Sequence, residues 1–66
     1  MAKKVRETIS ILEAHGWREV RRRGGHRHFK HAERASVVTV AGKPSATIPV
    51  GTLNEIRRKS GIRELR

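Results

Sequence analysis

The sequence predicts an α+β domain: a three-stranded antiparallel sheet with two helices on one face. Three observations predict it. Apolar residues recur at helical spacing near both ends of the chain. The middle is rich in alternating and β-branched residues interrupted by glycine. Neither amphipathic helix can bury its apolar stripe alone, so both must lie against the sheet. The 66 residues suffice for one domain, residues 1–66. A chain of this size buries only about 60% of its unfolded surface, so a thin core is expected.

Taken in order, Val5, Ile9 and Leu12 fall at i, i+4 and i+7 and predict a helix from about Lys3 to His15, with Ile11 widening the stripe and Glu7 in its first half. Gly16 stands where such a helix stops, and His15 is expected to interact with its terminal carbonyls. From Trp17 to Arg23 the alternation is imperfect, because Trp17 and Val20 have opposite parity. A bulge or a one-sided edge strand is expected there. Gly24-Gly25 reads as a turn. In the next strand, period two puts Arg27, Phe29 and His31 on one face and His26, His28 and Lys30 on the other. Phe29 is the strongly apolar member, so its face is the buried one, and His31 is expected to be packed or hydrogen-bonded there. Ser36–Val40 is the best strand signal, and Ala41–Ser45 breaks it as a loop. Val50, Leu53 and Ile56 mark a second helix, with Pro49 at its start and Gly61 past its end. Arg57, Arg58 and Lys59 complement its dipole, and Ile62 makes the apolar contact of the cap. The resulting α-β-β-β-α order is that of the double-stranded-RNA-binding architecture, which alone does not give function.

Charge narrows the function classes. Sixteen Lys and Arg, eleven of them Arg, face six acids, all Glu, for a formal net charge of +10. That imbalance points to a polyanionic partner, most simply nucleic acid. Apolar content is 35%, but it is grouped, which argues for a fold over a basic disordered tail. The absence of cysteine excludes disulfides, thiolate metal sites and sulfur redox chemistry. No apolar run approaches the roughly 18–20 residues of a membrane span, and no signal-like stretch opens the chain, so a cytoplasmic protein is expected.

The stretch Arg21-Arg22-Arg23-Gly24-Gly25-His26-Arg27 carries the strongest chemical signal. The glycine pair lets a ligand approach the backbone closely, and amides flanked by guanidinium groups suit a phosphodiester. A histidine beside that anion site can move protons near neutral pH. The plain alternative is a charged hairpin with a histidine after its turn. His26, His28 and His31 form H-x-H-x-x-H, but His31 points the other way, Arg27 and Lys30 crowd the site, and only Glu remains to complete a metal shell. No metal and no cofactor are therefore expected. Trp17 and Phe29 are the only aromatics, and both suit the core. Contact with RNA through phosphate and 2′-hydroxyl groups is thus favoured over base stacking. DNA binding is disfavoured, since the basic residues cluster on strands and no helix-turn-helix spacing appears.

Four segments, in order, are similar to the HicA toxins, the small ribonucleases of HicA–HicB toxin–antitoxin pairs. They are the first helix ending in Gly16-Trp17, the basic strand leading to Gly24-Gly25-His26-Arg27-His28-Phe29-Lys30-His31, the segment Val38-Thr39-Val40-Ala41-Gly42-Lys43-Pro44-Ser45, and Pro49-Val50-Gly51-Thr52-Leu53-Asn54. The resemblance implies a double-stranded-RNA-binding-like fold, cleavage of mRNA and neutralisation by a HicB antitoxin. It also implies an essential histidine directly after the glycine pair, here His26. The chain departs from the family pattern at Ala32, where a proline is usual, and at Ala46-Thr47-Ile48, where an acidic or polar stretch is usual. Both are expected in loops, where they bear on antitoxin pairing. The expectation is thus a metal-independent endoribonuclease in which His26 is catalytic and His28 a second acid or base. Arg22, Arg23, Gly24, Gly25, Arg27 and Lys30 are expected to hold the RNA. A non-catalytic basic RNA-binding module is the competing class.

Overall fold

The computed structural model describes residues 3–65. The chain runs β1 (Lys3–Lys4), α1 (Val5–Ala14), β2 (Arg18–Arg23), β3 (His26–His31), β4 (Arg34–Ala41), β5 (Thr47–Ile48) and α2 (Val50–Ser60). Strands β2, β3 and β4 form an antiparallel sheet in that order, the α+β arrangement the sequence predicts. Two short strands go beyond that prediction. β1 pairs antiparallel with β5, Lys3 opposite Ile48 and Lys4 opposite Thr47. Lys3 and Lys4, inside the helix that the apolar spacing predicts, are therefore extended, and Thr47–Ile48 is a strand where a loop is expected. Two residues carry no readable period, and their pairing joins distant parts of the chain.

That pairing fixes how α1 begins. Lys4, the N-cap, is extended, and its backbone N–H donates to Glu7 Oε1 at 3.2 Å. The next amides find carbonyls in the loop before β5: Val5 N–H donates to Ala46 at 2.9 Å and Arg6 N–H to Pro44 at 3.1 Å. The first two donors of the helix are thus satisfied by loop backbone, and the Glu7 side chain takes the N-cap amide. Along α1 the buried stripe is Val5, Thr8 and Leu12, with Ile9 and Ile11 half-buried at its margins. Thr8 escapes an apolar count because it is polar. It tolerates burial because its hydroxyl donates to the Lys4 carbonyl at 3.2 Å.

Both helices pack on the face of the sheet that carries Phe29, Val38 and Val40. Val5 and Leu12 come from α1, Leu53 and Ile56 from α2, and Trp17, Ile48, Ile62 and Leu65 close the sides. The helices cover β3 and β4 and leave β2 overhanging, every one of its six residues exposed. α2 ends on Gly61, whose N–H donates to the Arg57 carbonyl at 2.9 Å, and Ile62 is buried beyond it as the cap predicts. Among the described residues no helix is long and apolar enough to cross a membrane.

Candidate functional site

Strand register decides which side chains meet. Residues directly opposite in an antiparallel pair share a face. Phe29 lies opposite Val38 and Arg27 opposite Val40, so this is the face the helices cover. On the open face two rows cross the strands: Arg23 opposite His26 opposite Ala41, and Arg21 opposite His28 opposite Thr39. Lys30 lies opposite Arg18 on the same side. His26, His28, Arg23 and Lys30 therefore share a face, together with Arg18 and Arg21.

A bulge recruits those last two. The β2–β3 register shifts between Glu19 and Arg21, leaving Val20 as the extra residue. Without it, Arg21 would share the face of Glu19, two positions back. With it, Arg21 and Arg23 turn to the open face and Arg22 turns away. Arg22 instead grips Glu19, Nε to Oε2 at 2.9 Å and Nη2 to Oε1 at 3.1 Å. The Arg22 hydrogen bond, with the Arg22 and Arg27 charges behind it, holds the Glu19 carboxyl below its ordinary range and raises the Arg22 guanidinium in return. Arg27, half-buried opposite Val40, lies on that same far face. The expected RNA-holding set is thus divided between the two faces of the sheet. Arg18 and Arg21 join the histidine face without having stood out in the sequence, and the parity mismatch of Trp17 and Val20 was the available signal.

The turn that presents His26 is two residues long, flanked by the Arg23–His26 pair. Gly24 has φ 59 while Gly25 has no positive φ, the requirement of a type II′ hairpin turn. A side chain at Gly24 would meet nothing within 4 Å, so the approach to the turn is open. Gly42 N–H donates to the Gly25 carbonyl at 3.1 Å and ties the following loop to the hairpin tip. His26 is exposed, and among the described residues its ring makes no hydrogen bond. His28 is half-buried, with Nδ1 3.0 Å from Thr39 Oγ1.

The family model described as HicA toxin of bacterial toxin-antitoxin matches residues 5–62, from the first residue of α1 to the cap of α2. The chain belongs to the HicA toxin family. No curated protein matches it. Membership makes the chain the toxin half of a pair, with an antitoxin as its partner class.

In this HicA-family toxin the other two histidines stand apart from the open face. His31 packs on Trp17, ring centroids 5.4 Å apart at 57°. Its Nε2–H donates to the His15 carbonyl and its Nδ1 accepts from Glu33 N–H, each at 3.0 Å. The His15 ring does not cap α1 as expected. It reaches Glu64 Oε1 at 3.0 Å, a partner 49 residues away that no local pattern reveals. Among the described residues no three of His, Cys, Asp and Glu are grouped to hold a metal ion. An open groove along α2, lined by Asn54, Glu55, Arg57, Arg58 and Arg63, contains neither His26 nor His28. The histidine face is an exposed cationic strand surface instead, a shape that suits an extended polyanion better than a small molecule.

Proposed function

We propose that this toxin is an endoribonuclease that cuts mRNA and so arrests translation. The observation that carries the reading is the exposed imidazole of His26, directly after a two-glycine turn and in one row with Arg23. In the reaction the RNA supplies its own nucleophile. The 2′-hydroxyl loses its proton, its oxygen bonds to the adjacent phosphorus, and the bond from phosphorus to the 5′-oxygen breaks as that oxygen gains a proton. His26 is one of the two proton-transfer groups, worth about 10²–10⁴-fold in rate. His28, two residues along the same face, is the candidate for the other. Arg23, Arg21 and Lys30 hold the backbone and offset the charge that gathers on phosphorus, while Gly24 and Gly25 let the strand approach the main chain. Arg22, engaged with Glu19, and Arg27, opposite Val40, lie on the far face and take no part in the cut. Imidazole chemistry of this kind asks for no metal.

The substrate is single-stranded or loosely structured RNA, held through phosphate and 2′-hydroxyl groups, because Trp17 and Phe29 are both spent in the core. A HicB-type antitoxin silences the enzyme by covering this face with acidic residues. The test is an assay of purified toxin on labelled RNA in EDTA, wild type against His26→Ala, with circular dichroism to verify the variant's fold. Wild type is expected to yield product and His26→Ala to lose about 10²–10⁴-fold. Binding without product in the wild type would leave only a basic RNA-binding module, and a fully active His26→Ala would remove His26 from the chemistry.

A further inference from the structure

We propose that Thr39 is the positioning residue of a second proton-transfer unit, the His28–Thr39 pair, a claim that rests on the RNA-cleaving reading above. The contact is a cross-strand one: Thr39 is directly opposite His28 in the β3–β4 ladder, and its Oγ1 lies 3.0 Å from His28 Nδ1. With Nδ1 engaged, Nε2 is the nitrogen left for substrate. Thr39 is β-branched, with restricted χ1 freedom on a strand, so the hydroxyl is held in place at small entropic cost.

What distinguishes this partner is that a hydroxyl both donates and accepts. When His28 is neutral with its proton on Nε2, the Thr39 O–H donates to Nδ1. When Nδ1 carries a proton, the same oxygen accepts the hydrogen bond from it. With the proton kept on Nδ1 and its hydrogen bond donated to Thr39, the ring passes between imidazolium and neutral imidazole by gaining or losing its Nε2 proton, and the bond that orients it is never broken. His31 on the same strand shows the opposite arrangement. Its Nδ1 faces an N–H, which only donates, and its Nε2 faces a carbonyl, which only accepts. Those partners fit one neutral tautomer. The Thr39 hydroxyl thus suits either role of the His28 Nδ1, whereas the contacts of His31 suit a single arrangement of its ring nitrogens.

Geometry completes the assignment. His26 and His28 stand on one face with Cα atoms about 7 Å apart by strand rise, so their rings can flank a single phosphorus. One ring takes the 2′-hydroxyl proton as the new oxygen–phosphorus bond forms, and the other gives a proton to the departing 5′-oxygen. Each ring then exchanges with water to regain its starting state. Arg21 opposite His28, Arg23 opposite His26 and Lys30 further along β3 stand on the face that the two rings share. All are cations that draw the phosphate between the two rings.

The experiment compares wild type, Thr39→Val, Thr39→Ser, His28→Ala and the double variant His28→Ala/Thr39→Val on labelled RNA, with KM and kcat separated. Thr39→Val keeps the branched shape and removes the hydroxyl. It is expected to lower kcat about tenfold, the scale of one hydrogen bond to a group that becomes charged, with KM nearly unchanged. Thr39→Ser restores kcat, and Thr39→Val has no further effect once His28 is gone. Nitrogen-15 NMR of the ring should show the His28 Nδ1 signal shifted in Thr39→Val, where its hydrogen bond is gone, and restored in Thr39→Ser. If Thr39→Val does not fold, Thr39→Ala takes its place. Wild-type kcat and an unchanged His28 ring spectrum in a folded Thr39→Val, while His26→Ala is inactive, would overturn the proposal and leave the nuclease standing. A wild type that binds RNA and yields no product would remove both.

Discussion

The three histidines of β3 differ less in sequence than in the atoms that meet their rings. His31 is held by the Trp17 ring, the His15 carbonyl and the Glu33 amide. Its role is to lock the end of α1 to the start of β4. Replacing it by Phe keeps the aromatic contact and deletes both hydrogen bonds. His15 is exposed, so water can take over at its carbonyl, and the expected loss is about 1 kcal/mol of folding stability. Denaturant titration measures that loss, and RNA cleavage per folded molecule should not change. A large drop in cleavage at equal folded fraction would mean that His31 belongs to the chemistry after all. At this scale the sequence was a good guide to direction and a poor one to partners. Alternation around Phe29 separates His26 and His28 from His31, because period two is a local property. The His28–Thr39 and His15–Glu64 contacts depend on register and tertiary packing, which no local spacing encodes.

At the scale of elements, the bulge in β2 has the largest functional consequence. Read as a run of three arginines, Arg21-Arg22-Arg23 gives no reason to prefer one over another. The extra residue at Val20 sorts them: Arg21 and Arg23 to the histidine face, Arg22 to a carboxylate on the other side. The sorting predicts different salt dependences. Each phosphate contact removed from a single-stranded complex lowers the slope of log affinity against log salt by about 0.7. Arg21→Gln and Arg23→Gln, made in the His26→Ala background so that RNA stays intact, should each reduce the slope by about that amount. Arg22→Gln should leave it nearly as it was. Titrations of a single-stranded RNA at several salt concentrations decide the matter, and an Arg22 effect equal to that of Arg21 would place the RNA on the other face. The same element shows what was legible. The parity mismatch of Trp17 and Val20 marks a bulge, yet parity alone does not say which arginine the bulge turns outward. The β1–β5 pairing was not legible at all, since two-residue strands present no period.

For the whole molecule, charge and size act together. A net charge of +10 is confined within a radius of gyration of 10.6 Å, comparable to the screening length of about 10 Å at 0.1 M salt. The cations therefore repel one another across the molecule, and the thin core must hold against them. Added salt should raise the melting temperature of the free toxin by screening that repulsion. An acidic antitoxin over the histidine face, as proposed above, would relieve it directly and stabilise the folded state by mass action. At a free concentration of 100 times Kd the gain is about 2.7 kcal/mol. For a domain of this size that corresponds to roughly 10–20 °C in melting temperature. Salt should then act in opposite senses on the two samples, stabilising the free toxin while weakening the association that protects the complex, so that their melting curves converge as ionic strength rises. Thermal melts of toxin alone and with its antitoxin, from low to high salt, measure both trends. If the antitoxin's increment stays constant with salt, the interface is not built on this charged face, and the covering of His26 by acidic residues falls with it.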